Sequence, residues 1–65
     1  MNTETKDAPA VHSRYGIERG FVCMDEAIGW AWRQSALLQG TFSVHNSKDK
    51  QIVVFEDGKV ILIFS

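Results

Sequence analysis

The spacing of apolar residues changes twice along this chain, and each change marks an element. Residues 1–13 are polar, show no period and carry the only proline; they read as a flexible tail. From Arg14 to Cys23 the pattern alternates. Tyr15, Ile17, Phe21 and Cys23 fall on one side and Gly16, Glu18, Gly20 and Val22 on the other, with Arg19 interrupting. A period of two predicts a half-buried strand, weakened by its glycines. From Met24 to about Gln39 the period lengthens. Met24, Ala27, Ile28, Ala31, Ser35 and Leu38 share one face at about 100° per residue, the stripe of an amphipathic helix. Cys23-Met24-Asp25-Glu26 has the spacing of a capping box, its acids suit the positive helix start, and Gly40 is a natural stop.

After Gly40 the period of two returns. Thr41–Asn46 places Phe42 and Val44 opposite Thr41, Ser43 and His45, and the polar 46–50 segment reads as a turn. Gln51–Glu56 and Lys59–Ser65 flank Asp57-Gly58, a pair suited to a type I′ hairpin because both positions need positive φ. The predicted fold is α+β, in the order β-α-β-β-β. A four-stranded, mostly antiparallel sheet carries one helix on one face, and residues 14–65 form a single domain.

A simple hairpin register sets Glu56 against Lys59, Val54 against Ile61 and Ile52 against Ile63. Ile52, Val54, Ile61 and Ile63 then share one sheet face, while Val53, Phe55, Val60, Leu62 and Phe64 join Phe42 and Val44 under the helix. One helix covers one face, so the Ile/Val face is expected to be bare, in a band with Thr41, Ser43 and His45. Antiparallel strands with a solvated face normally alternate apolar and polar residues, and these two do not. Such a patch points to an interface, unless the tail or a curled first strand covers it. On the helix, Trp30 and Leu37 lie seven residues apart, with Arg33 between them, more than 90° from the Met24/Ile28 stripe. Trp with Arg and Leu is the composition of a binding hot spot; the alternative is that Trp30 packs at the sheet rim. Trp32, flanking the stripe, is expected in the core, and Tyr15 and Phe21 in the core or at its rim.

The totals narrow the function classes. A net charge of −1, with seven Lys+Arg scattered against eight Asp+Glu, lacks the basic surface that direct nucleic-acid binding uses. A single cysteine excludes an intramolecular disulfide. No apolar run reaches the ~18 residues of a membrane span, and Met1–Ala10 does not have the form of a signal peptide. A cytoplasmic protein is expected.

Cys23 is the one candidate nucleophile, placed where a helix dipole favours its thiolate, but no spacing brings it a base: His12 lies in the tail and His45 on a strand. Two histidines and one cysteine match no zinc-site spacing, and Gly16–Gly20 lacks the Gly-Lys-Ser/Thr ending of a phosphate loop. No catalytic, cofactor or metal site is expected.

In outline, a β-α-β-β-β unit whose helix opens Met24-Asp-Glu-Ala27, stops at Gly40-Thr41 and ends in a Glu56-Asp57-Gly58-Lys59 hairpin resembles small proteins of phages and mobile elements. Among these are anti-CRISPR inhibitors of surveillance complexes and inhibitors of host RNA polymerase. The resemblance implies a stoichiometric inhibitor that binds a host protein, with no residue role carried across. The expected function is therefore a non-enzymatic protein-interaction module. It would bind another protein through Trp30, Arg33 and Leu37, or through Ile52, Val54, Ile61 and Ile63. The alternative is a homodimer joined through the sheet face or the Val60–Phe64 strand.

Overall fold

The computed structural model describes residues 8–64. Ala10–Ser13 form β1 and Gly16–Glu18 form β2, followed by the helix α1, Met24–Leu38. Thr41–His45 form β3, Gln51–Glu56 form β4 and Lys59–Ile63 form β5. The strands make one five-stranded sheet in the order β2-β1-β3-β4-β5, and every pairing is antiparallel. The α+β class with one helix holds; the sheet has five strands rather than four.

The fifth strand comes from chain assigned to the tail. Ala10–Ser13 are built into the sheet between β2 and β3, with Ala10 and Val11 buried, so the domain begins at or before Ala10 rather than at residue 14. Val11 is the only large apolar residue of this strand, which left no period to read. The predicted 14–23 strand is instead a hairpin return followed by a coil. Ser13 Oγ accepts from Tyr15 N (3.1 Å) and donates to Gly16 O (3.4 Å), closing the turn, and Gly20, at φ 101°, diverts the chain. Phe21 then folds under the helix, buried against Trp30 at a ring separation of 5.4 Å. Residues 1–7 of the expected tail lie outside the described residues.

The helix meets the sheet through small side chains. Ala27, Ala31 and Ser35 are fully buried, letting the helix lie close, while Met24, Ile28 and Trp30 pack beside them against Val11, Phe42, Val44, Val53 and Phe55. The predicted capping box forms differently. Cys23 makes no side-chain cap bond, and Glu26 Oε1 accepts from Val22 N at 2.7 Å, one residue further back. At the other end, Gln39 (φ 63°) and Gly40 (φ 110°) both turn left-handed and end the helix.

The Asp57-Gly58 turn has the predicted positive φ at both positions, 54° and 84°. It is docked on the helix end by four hydrogen bonds: Gly58 N to Ser35 Oγ, Trp32 Nε1 to Gly58 O, Gly40 N to Asp57 Oδ1 and Asp57 N to Gly40 O. Glu56 pairs with Lys59 as expected, but the ladder then slips. Val54 faces Leu62 and Val53 faces Ile63, with the shift at Val54/Phe55. The extra residue of this bulge turns the rest of β5 over. Val54 and Leu62 therefore lie on the far face of the sheet, while Ile63 joins Val53 on the helix side.

Candidate functional site

Cross-strand partners share a face of a sheet, so the pairings define what each face presents. Away from the helix, one row reads Ile17, His12, Ser43, Val54 and Leu62 across all five strands. The next row sets Ala10 beside His45 and His45 beside Gln51. The Ile/Val face expected from the sequence is thus not one patch. Val54 is 3 % exposed and Ile52 half-buried, the bulge separates Val54 from Ile61, and Ile63 lies on the other face.

The helix patch is not assembled either. Trp30 turns inward, its ring 5.4 Å from Phe21 and 6.3 Å from Phe42, which is the rim packing named as its alternative. Leu37 and Leu38 are both exposed at the helix end, and Arg33 lines a shallow depression with Gly29, Trp32 and Ala36. Trp32, expected in the core, is 54 % exposed. One face of its indole stacks on Phe55 (6.0 Å, 7° between planes), and its Nε1 is held by Gly58 O at 2.8 Å.

Two features do assemble. The first is the outer edge of β5. Val60, Ile61, Leu62 and Ile63 of β5 and the adjoining Phe64 are consecutive, apolar and 43–73 % exposed, and the outer side of this strand pairs with nothing among the described residues. The opposite edge, β2, is three residues long, starts at Gly16 and runs into Glu18-Arg19-Gly20. Short, charged and glycine-flanked edges resist pairing, whereas a long apolar edge invites it.

The second joins histidines that sequence spacing kept apart. His12 on β1 and His45 on β3 stack their rings at 3.8 Å and 21°. Asp49 Oδ1 lies 3.3 Å from His45 Nδ1 and 3.7 Å from His12 Nε2. These contacts are too long or too misaligned for hydrogen bonds, and both nitrogens are shielded from solvent without a partner among the described residues. Burial, the neighbouring His45 and Arg19 push the His12 pKa below its usual value against the opposing pull of Asp49. Asp49, at φ 63°, is held by a tight turn: Asn46 Oδ1 accepts from Lys48 N and Lys50 N, both at 2.9 Å, and Asp49 N donates to Asn46 O. Behind the rings, His45 Nε2 lies 3.0 Å from Ser43 Oγ, which also accepts from Gln51 Nε2 at 2.7 Å. Sequence spacing does not reveal the cluster, because residues 1–13 show no period that would put His12 on a strand. The alternation in Thr41–His45 does put Ser43 and His45 on the face it occupies.

Cys23 is exposed at the helix start. Among the described residues, His12 and His45 group with Asp49 and not with Cys23. No helix of the described residues is long and apolar enough to cross a membrane. No family model, curated protein or solved structure matches the chain at a significant level.

Proposed function

We propose that this chain is a non-enzymatic protein-interaction module that binds by strand addition at β5, and that the strand it takes is β5 of a second copy. The observation that carries this is the exposed run Val60–Phe64 on an edge left unpaired among the described residues. Strand addition supplies backbone hydrogen bonds along the edge and buries apolar side chains on both faces of the new pair. The edge is self-complementary. An antiparallel pair centred between Ile61 and Leu62 sets Val60 against Ile63 and Lys59 against Phe64, so the two Lys59 ammonium groups stay apart. Two five-stranded sheets would then run on as one, related by a twofold axis, the commonest symmetry of homo-oligomers.

Light scattering of the chain over about a 100-fold concentration range tests this, with a dimer mass expected. Ile63 is 73 % exposed, so Ile63→Lys should leave the fold intact, within about 0.5 kcal/mol, and give a monomer by adding the kind of charge that blocks edges. Phe64 N donates to Ile52 O, so by strand alternation the Ile63 N–H points away from β4. Ile63→Pro should therefore also dissociate the pair without removing a bond to β4. A dimer that survives both changes, or a wild-type monomer throughout, would overturn self-pairing. In the monomer case the same edge would be open to a strand of a foreign protein, the form of binding that the resemblance to phage inhibitors implies.

A further inference from the structure

We propose that His12, His45 and Asp49 form a binding site for a divalent transition metal of the zinc class, one that ties β1 to β3 and to the turn before β4. Three observations meet here. The ligand atoms of the three residues lie within 4.8 Å of one another. The neighbouring ring nitrogens His12 Nε2 and His45 Nδ1 are shielded from water and have no hydrogen-bond partner among the described residues. Both lie beside the same carboxylate oxygen, at 3.7 and 3.3 Å. Zinc–ligand bonds of about 2.0–2.1 Å in a tetrahedron put neighbouring ligand atoms about 3.3 Å apart, so a cation can reach all three once the side chains turn and draw together.

The electrostatics favour a cation. When a neutral imidazole turns its lone pair toward a carboxylate, two acceptors oppose each other, and a cation between them removes the conflict. The tautomer of His45 that carries its proton on Nε2 donates to Ser43 Oγ and leaves Nδ1 free for the metal. Ser43, fixed in turn by Gln51, is then the outer partner that metal-bound histidines normally have. Seating the ion requires the rings to fan out from their stack so that each lone pair points at it. Asp49, with its side chain 78 % exposed, can follow. Two imidazoles and one carboxylate select zinc, nickel, copper or iron over magnesium and calcium, which prefer oxygen. Three protein ligands leave at least one position for water.

The test uses the full chain without an affinity tag at neutral pH, titrated separately with Zn²⁺, Co²⁺ and Mg²⁺. One Zn²⁺ per chain is expected by calorimetry, with visible absorption from the Co²⁺ form and no saturable Mg²⁺ uptake. Imidazole nitrogen resonances should move at His12 Nε2 and His45 Nδ1. Asp49→Asn suits the left-handed turn position and should keep the fold, yet weaken Zn²⁺ binding by at least about tenfold, the lower bound for losing even an outer partner. His12→Gln should do the same, and Cys23→Ser should change nothing. Absence of saturable Zn²⁺ binding would overturn the site. So would binding that survives Asp49→Asn and His12→Gln, or binding that Cys23→Ser removes.

Discussion

Gly58 shows how much a single residue's place in the fold adds to its local chemistry. Its positive φ was legible, since Asp-Gly between β-branched runs calls for a type I′ turn. The docking of that turn on the helix was not legible. A Cβ at Gly58 would stand 2.9 Å from Ala36 Cβ, and Gly58 N and O are both bonded to the helix. Gly58→Ala should therefore destabilise by more than about 1 kcal/mol, combining backbone strain with a clash. Denaturant unfolding should show a lower midpoint at an unchanged slope. The steric part can be isolated, because in an Ala36→Gly background the same change should cost less. Strictly additive effects of the two substitutions would remove the clash from the account. Ser35→Ala should cost about 1–3 kcal/mol, because it strands the Gly58 N–H.

At the scale of elements, strong periods were readable and weak ones were not. The α1 stripe predicted the burial of Ala27, Ala31 and Ser35, and the alternation of Phe42 and Val44 predicted their place under the helix. β1 escaped because four residues with one large apolar side chain carry no period. The bulge in β5 escaped because Val-Ile-Leu-Ile is apolar in either register, and its position comes from tertiary pairing. The two tryptophans exchanged roles for a similar reason. A helix that packs through Ala and Ser lies low enough for Trp30 to reach Phe21 and Phe42 at its flank, while Trp32 caps Phe55 from outside. Trp30→Ala should accordingly cost stability, about 3 kcal/mol, at the low end for a core aromatic. Leu37→Ala, on an exposed side chain, should stay within about 0.5 kcal/mol. Thermal unfolding of the pair tests this inward reading of Trp30; equal and negligible losses would restore the helix patch.

For the molecule as a whole, size sets the terms. A chain near 60 residues buries only about 60 % of its unfolded surface, so any contact beyond its own core has large leverage. The β5 edge and the histidine cluster are two such contacts; the cluster spans β1, β3 and the turn before β4, so β4 lies between its nearest strand and β5. At strand spacings of about 4.8 Å, β3 and β5 are roughly 10 Å apart. Ile63 lies on the helix side of the sheet while the cluster lies on the other face, which puts the two at the limit of the range over which substitutions normally couple. The two should therefore stabilise independently. Zn²⁺ at 100 times its dissociation constant should add about 2.7 kcal/mol and raise the melting temperature by roughly 10–20 °C for a domain of this size. That rise should appear undiminished in Ile63→Lys, compared at equal saturation, and should be lost in Asp49→Asn, which should still dimerise as the wild type does. Chelation should reverse the rise and leave the dimer mass unchanged. If Zn²⁺ instead shifted the dimer equilibrium, or Ile63→Lys weakened metal binding, the edge and the cluster would be parts of one linked assembly.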